Sequence, residues 1–153
     1  MKIGHILLTT DLSPESLRIL GRIGNLARQM GARVTLLNVV HDMMVVPHAE
    51  SVSPTMGVSE MQNLIQASRV ALEDAKTGLG PGVEVQVDTL AGATIASTVA
   101  NYAAENDVDL IALSTHGRTG FRHLVLGSVA EAIMRHSHCP VLCFPPDEAK
   151  KKE

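Results

Sequence analysis

Short apolar runs alternate along the chain with longer segments in which apolar residues recur at helical spacing. The apolar runs lie at 3–10, 33–40, 83–87, 108–113 and 140–144, and their length is typical of strands. In the third run, valines alternate with polar residues, which predicts a strand near the edge of a sheet. Five strands alternating with four helices indicate an α/β fold, an open parallel sheet with helices on both faces.

The predicted helices are bounded by residues that typically start or stop helices. Ser13 precedes a proline and opens the first helix, and Gly31 ends it. We expect Ser59 to cap a longer second helix, which follows a segment without periodicity. A third helix is predicted over 92–106 and a fourth over 128–136.

Length and composition restrict the classes of function. With 153 residues, the chain is expected to form a single domain over 1–146, followed by an exposed charged tail at 147–153. A net charge of −3 offers no basic surplus for nucleic acid or an anionic membrane, and no apolar run approaches the roughly 20 residues of a membrane span. No leader segment is apparent, and the two cysteines do not form a disulfide framework. We therefore expect a cytoplasmic protein.

Segment 110–128 carries the strongest chemical signal in the sequence. An apolar run ends at Ser114, two glycines follow, and Gly127-Ser128 opens the last predicted helix. Glycines let the backbone approach an anion closely, and the first N–H groups of a helix point toward it. We expect Ser128 to be the N-cap, with Glu131 completing a capping box. This order of strand, loop and helix predicts a cradle for phosphate.

The same residues resemble a family motif. Ser114-x-x-Gly117, nine residues and then Gly127-Ser128 are similar to the Gly-x-x-Gly, nine residues, Gly-Ser or Gly-Thr motif of nucleotide-binding universal stress proteins. Segments 6–13 and 139–142 extend the resemblance over essentially the whole chain. Ser114 departs from the motif, which has glycine there. The departure falls beside the expected ribose and leaves the phosphate end of the motif intact.

The resemblance implies a three-layer, adenine nucleotide alpha hydrolase-like (Rossmann-like) fold with strand order 3-2-1-4-5. In that order, strands 1 and 4 part at a switch point, and ligands bind outside the carboxyl ends of the strands there. The resemblance also implies ATP, or ADP or AMP, bound with Mg²⁺, and a homodimeric regulator of the stress response. The dimer is expected to form through the last strand, Val141, Leu142, Cys143 and Phe144, at a sheet edge.

The expected nucleotide site combines strand ends with the loop and helix after strand 4. Thr9 and Thr10 flank the base or ribose, and Asp11 accepts from a ribose hydroxyl or holds Mg²⁺. By the resemblance, the backbone of Val39 pairs with the adenine edge. Backbone amides around Gly127 hold the phosphates, and loop residues add positive charge. The complete set is Thr9, Thr10, Asp11, Val39, Ser114, Thr115, His116, Gly117, Arg118, Gly127, Ser128 and Val129.

Three other functions compete with this one. An ATPase or nucleotidyl transferase lacks support because no GxxxxGK[ST] P-loop occurs in the sequence. We therefore expect a protein that is not an enzyme, with slow hydrolysis of bound ATP as an alternative. A nucleotide-free dimeric adaptor of the same fold is the other alternative. Zinc binding is disfavoured because the spacing of His123, His136, His138 and Cys139 matches no structural zinc pattern.

Overall fold

The computed structural model describes residues 2–42, 57–115 and 126–145. The strands are β1 (His5–Thr9), β2 (Arg33–His41), β3 (Val85–Gly92), β4 (Leu110–Ser114) and β5 (Val141–Phe144). The helices are α1 (Pro14–Leu17), α2 (Leu20–Met30), α3 (Val58–Ala75), α4 (Ile95–Glu105) and α5 (Ser128–His136), with a 3-10 turn at Lys76–Leu79.

The strands form one parallel sheet in the order β3-β2-β1-β4-β5. This confirms the α/β fold predicted from the hydrophobic pattern and the strand order implied by the family resemblance. The alternating third run is an edge strand, as predicted, although β3 continues to Gly92. β1 and β4 are neighbours, and the chain leads from β1 to β2 on one side and from β4 to β5 on the other. The switch point therefore lies between β1 and β4.

Each face of the sheet has its own aliphatic core. On one face, Ile6, Leu8 and Leu36 pack with residues of α2 and α3 such as Ile23 and Leu72. On the other face, the alternate strand residues pack with α4 and α5 through side chains such as Val99 and Ile133. This arrangement confirms helices on both faces, and it follows from the opposite directions of successive side chains along a strand.

The first two predicted helices differ in detail from the sequence prediction. The first helix is interrupted at residues 18–19, where Ser16 Oγ donates to the Ser13 carbonyl at 3.0 Å, a type of bond that bends helices. The cap of α3 is Gly57, not Ser59, and the Gly57 N–H donates to the Glu60 carboxylate at 3.0 Å.

The predicted capping box at Ser128 is also wrong. The N-cap of α5 is Gly127, whose carbonyl already accepts from the Glu131 N–H at 2.9 Å. Ser128 is therefore the first residue of the helix and not its N-cap. The shift of one residue keeps the helix N-terminus at the predicted place but assigns the cap to a residue without a side chain.

A buried polar group lies at the amino-terminal end of the sheet. His5 is 5% exposed, and its Nδ1 donates to the Asn106 carbonyl at 3.0 Å. Its Nε2 lies 2.9 Å from Thr35 Oγ1, which donates to the neutral ring. Burial lowers the pKa of His5 below its usual value of 6.5. The N–H groups of Gly4 and His5 donate to Asp109 and lower the pKa of that carboxyl.

Candidate functional site

A cavity of about 1090 Å³ opens at the carboxyl ends of β1, β2 and β4. The amino-terminal end of α5 and one side of α3 complete its wall. This is the switch point, where two neighbouring strands connect in opposite directions and leave a crevice. The cavity is lined by Thr9, Thr10, Asp11, Leu12, Ser16, Asn38, Val39, Val40, His41, Leu64, Ala67, Ser68, Ile95, Leu113, Ser114, Thr115, Leu126, Gly127, Ser128, Val129, Ala130 and Ile133.

Hydrogen bonds within the chain shape the end of β1. The Thr10 hydroxyl accepts from the Leu12 N–H at 3.0 Å and lies 2.7 Å from Ser16 Oγ. It supports Leu12, which has an unusual positive φ of 62°, a conformation that costs on the order of 1 kcal/mol in a branched residue. Asp11 Oδ1 accepts from the Ser13 N–H at 3.0 Å and from its hydroxyl at 2.6 Å. Internal bonds thus fix the Asp11 carboxylate in the wall of the cavity.

The backbone of β2 continues past the end of β1. Thr10 N–H donates to the Leu37 carbonyl at 3.0 Å. In contrast, the N–H groups of residues 34 and 42 donate toward β3, to the carbonyls of the residue just before that strand and of its last residue. Backbone groups of alternate residues in a strand point to opposite neighbours. The N–H and C=O of Val39 therefore face the β1 side, beyond the last paired residue of β1. They form a donor and acceptor pair at the rim of the cavity.

Close packing of backbone groups joins the end of β4 to α5. The Thr115 N–H and hydroxyl donate to the Phe144 carbonyl at 2.9 and 3.3 Å, which ties this residue to β5. Gly127 packs against the same residue, because a Cβ there would lie 2.8 Å from the Thr115 carbonyl oxygen. Its φ of −60° and ψ of 146° suit any residue, so glycine is required here for space rather than for conformation.

The start of α5 brings backbone donors to the cavity. Ser128, Val129 and Ala130 form the first turn of the helix and line the cavity wall. The N–H groups of a first turn have no partner within the helix and carry a partial positive charge. Among the described lining residues, Asp11 is the one acidic side chain and no lysine or arginine occurs. Attraction for an anion in this part of the wall therefore comes from backbone amides.

Nine of the sequence-predicted site residues line this one cavity: Thr9, Thr10, Asp11, Val39, Ser114, Thr115, Gly127, Ser128 and Val129. The other three, His116, Gly117 and Arg118, lie outside the described residues. Their shared position at the cavity accords with the site prediction, while the role of each residue stays a prediction. The last strand, 141–144, is an edge strand away from the cavity.

Sequence reasoning missed a polar pair in the wall of the cavity. Asn38 and Ser68 are 8% and 7% exposed, and Ser68 Oγ donates to Asn38 Oδ1 at 2.7 Å. Asn38 Nδ2 donates in turn to the Thr10 carbonyl at 2.7 Å. One signal was present in the sequence: Asn38 is a polar amide inside an apolar run of strand length, and such a residue needs a buried partner.

The described residues form neither a cluster of metal ligands nor a helix able to span a membrane. No three His, Cys, Asp or Glu side chains there converge as a metal site would require. Burial raises the pKa of both Cys139 and Cys143 thiols, which disfavours the thiolate form that metals bind. Across 2–42, 57–115 and 126–145, no helix has the length and apolar character needed to cross a bilayer.

The sheet order and the crevice define a doubly wound α/β protein with a cavity at the switch point. The profile of the universal stress protein family matches residues 2–145. Universal stress protein A homolog 1 of Coxiella burnetii is 32% identical over 142 residues, covering 93% of this chain and 96% of that protein. The chain therefore belongs to the universal stress protein family.

Solved structures agree with this assignment at the level of the fold. A universal stress protein in complex with cAMP has a TM-score of 0.66 and 21% identity, covering 95% of this chain and 99% of that one. The Archaeoglobus fulgidus universal stress protein in complex with dAMP has a TM-score of 0.59 and 16% identity, covering 94% and 98% of the two chains. Both neighbours hold an adenine nucleotide.

Proposed function

We propose that this protein binds ATP, or ADP or AMP, in the switch-point cavity, and that it is a homodimeric regulator of the stress response rather than an enzyme. The observation that carries the proposal is the cavity itself. One rim presents the backbone N–H and C=O of Val39, and another presents the first turn of α5. A planar base with a donor and an acceptor edge suits the first, and a phosphate suits the second.

In this proposal, the nucleotide spans the cavity from β2 to α5. The adenine edge pairs with Val39, whose N–H donates to a ring nitrogen and whose C=O accepts from the amino group. Asp11, fixed by its bonds to Ser13, accepts from a ribose hydroxyl. The phosphates lie at the first turn of α5, which Gly127 seats against β4. The adenine nucleotides held by the two structural neighbours support this choice of ligand.

Magnesium would enter this site together with the triphosphate. Mg²⁺ is usually bound by one or two carboxylates and by phosphate oxygens. Asp11 is the carboxylate among the described lining residues, so the donor set fits an ion held mainly by the nucleotide. The ion would supply charge neutralisation of the phosphates. Residues of this chain would orient the ribose and the α5 end of the ligand.

A regulatory role is supported by the side chains around the cavity. Catalysis of ATP hydrolysis usually needs a group that positions the attacking water and cations that neutralise the transferred phosphoryl group. Among the described lining residues, the ionisable side chains are Asp11 and His41. His41 Nε2 lies 2.9 Å from the Ala93 carbonyl, to which it donates, so this ring is held at the β2 and β3 end of the wall.

The homodimer is proposed to form through β5. This strand is an edge of the sheet, and all four residues are half-buried in the single chain. Exposed edges with apolar side chains are normally paired or covered, and pairing β5 with its copy across a two-fold axis gives an isologous contact. We expect light scattering at micromolar protein to give the mass of a dimer. A monomer mass would contradict this part of the proposal.

Nucleotide binding is tested on protein purified without added ligand. We expect mass spectrometry to detect a bound adenine nucleotide, and titration calorimetry of stripped protein to show 1:1 binding of ATP with Mg²⁺. No heat with ATP, ADP or AMP would favour the nucleotide-free adaptor. Phosphate release at several turnovers per second would identify an enzyme, whereas turnover slower than nucleotide exchange would agree with a regulator.

A further inference from the structure

The pairing between β1 and β2 stops one bond short of the regular pattern. In a regular parallel pair, a residue donates its N–H to the carbonyl of one residue of the partner strand. Its own carbonyl then accepts from the N–H of the residue two positions later in that partner strand. Thr10 N–H donates to the Leu37 carbonyl at 3.0 Å. The next bond would join the Val39 N–H to the Thr10 carbonyl. Among the described residues the paired register ends at Thr9 and Leu37, and that bond is not made.

The side chain of Asn38 occupies the Thr10 carbonyl instead. Asn38 Nδ2 donates to this oxygen at 2.7 Å. The amide cannot be reversed, because a carbonyl oxygen needs a donor and the Asn38 Oδ1 accepts from Ser68 Oγ at 2.7 Å. Asn38 and Ser68 are both buried, so this arrangement is enclosed between β1, β2 and α3.

We propose that Asn38 determines base specificity by replacing the Val39 N–H at the Thr10 carbonyl, so that this N–H is presented to the nucleobase. Asn38 is a positioning residue in this role, because it acts on the ligand through Val39 and Thr10. The inference rests on the proposed function and names the group on which its base selection depends. The contacts to the base are made by backbone atoms, but they depend on the side chain of Asn38.

The chemistry of the base edge sets the selectivity. Adenine presents an acceptor at N1 and a donor at the 6-amino group, which match the N–H and C=O of Val39. Hypoxanthine presents a donor at N1 and an acceptor at O6, which oppose both groups. Sites built from hydrogen bonds reject ligands that leave their groups unpaired. A Val39 N–H withdrawn into the sheet would no longer favour adenine at N1.

Removing the Asn38 amide is expected to extend the pairing of β1 and β2 by one hydrogen bond. In Asn38→Leu, a side chain branched at the same carbon lacks a donor, and the buried Thr10 carbonyl loses its partner. A buried carbonyl without a donor is unfavourable, and the nearest backbone donor in the register is the Val39 N–H. Loss of one hydrogen bond to the base corresponds to about a tenfold loss of affinity.

The experiment compares ATP, ITP and inorganic triphosphate by calorimetry in wild type, Asn38→Leu and Ser68→Ala. Triphosphate probes the α5 end of the cavity alone. We expect Asn38→Leu to lower the ratio of ATP to ITP affinity about tenfold and to leave triphosphate affinity unchanged. Ser68→Ala is the matched control, since it removes the other bond of Asn38 but leaves Nδ2 on Thr10. It should keep the wild-type ratio.

Amide hydrogen exchange in the wild type tests the same inference without any variant. The Val39 amide should exchange faster than the Leu37 amide, which lies in the paired register, and it should become protected when ATP binds. Equal protection of both amides without nucleotide, or an unchanged affinity ratio in Asn38→Leu, would overturn the role of Asn38 while leaving nucleotide binding intact. Wild-type protein that binds no nucleotide would overturn both proposals.

Discussion

Replacing Gly127 by alanine tests whether the contact between β4 and α5 holds the phosphate end of the cavity. The added Cβ would lie 2.8 Å from the Thr115 carbonyl oxygen, and ordinary contacts begin at 3.4 Å. The two backbones must therefore separate by about 0.6 Å, the difference between these distances. Overpacking of this kind typically costs about 1–3 kcal/mol.

Two bonds decide which side of the contact moves. Thr115 is tied to the Phe144 carbonyl by its N–H at 2.9 Å and its hydroxyl at 3.3 Å, so we expect the start of α5 to move. Its first-turn amides then leave the positions from which they would meet phosphate. If about 1.4 kcal/mol of the cost appears in binding, ATP affinity falls about tenfold, and the remainder lowers the free energy of unfolding.

Gly57→Ala is the matched control for this substitution. Gly57 is the N-cap of α3 with φ −64° and ψ 156°, close to the φ −60° and ψ 146° of Gly127. The nearest atom to its Cβ is Ser59 Oγ at 3.9 Å, so alanine meets no obstruction there. Both variants share the cost of alanine at an N-cap, and their difference isolates the contact with Thr115.

Urea unfolding followed by circular dichroism gives the two free energies, and calorimetry gives the two ATP affinities. We expect Gly127→Ala to be less stable than Gly57→Ala by about 1–3 kcal/mol, and to be the variant with weakened ATP binding. Equal stabilities together with unchanged ATP affinity in Gly127→Ala would refute the reasoning. The phosphate end would then be formed without this contact.

Two further predictions concern stability. Gly24→Ala should destabilise the fold by about 3 kcal/mol, because the added Cβ would lie 1.8 Å from the Leu79 carbonyl oxygen. Gly21→Ala on the same helix should instead raise the free energy of unfolding by up to about 1 kcal/mol. Urea unfolding distinguishes the two variants, and equal effects would contradict the packing. The lowered pKa of His5 means that the unfolded chain binds the proton more tightly. Protonation of His5 should therefore leave the free energy of unfolding unchanged above the ordinary pKa of 6.5 and lower it as pH decreases through that value. Unfolding measured from pH 8 to 5 should show a shallower decline in His5→Gln, and an unchanged slope would contradict this origin.

The sequence was most informative where burial decides the structure. Hydrophobic runs located the central strands β1, β2 and β4, because strands buried on both faces must be apolar throughout, whereas the alternating third run covered only the start of β3. The order of the strands came only from the family resemblance. Helix caps were less predictable: Gly57 and Gly127 occupy positions assigned to nearby serines. Serine is favoured at a cap for its side-chain bond, but in both places backbone packing or a glutamate of the first turn serves instead.

The site was predictable in location but not in its mechanism of selection. Its position followed from motif residues that meet at one edge of the sheet. The role of Asn38 did not follow, because hydrophobic periodicity reports which face of a strand is buried and not where the hydrogen bonding of a strand pair ends. That end is decided by competition between a side-chain amide and a backbone N–H for the Thr10 carbonyl. Such competition appears only when the atoms are placed.

Because the proposed contacts are made by backbone atoms, few positions of this site depend on the identity of their side chain. Any residue other than proline supplies the same N–H and C=O at position 39 and the same helix amides at 128–130. Side-chain identity matters only where it controls the backbone: at Gly127, where a Cβ would meet Thr115, and at Asn38, where an amide takes the Thr10 carbonyl. A nucleotide held in this way is selected by the hydrogen-bonding edge of its base and by the charge of its phosphates. Substitutions at these two positions should therefore alter binding more than substitutions of Val39 or Val129, whose side chains line the cavity but whose proposed contacts are made by backbone atoms.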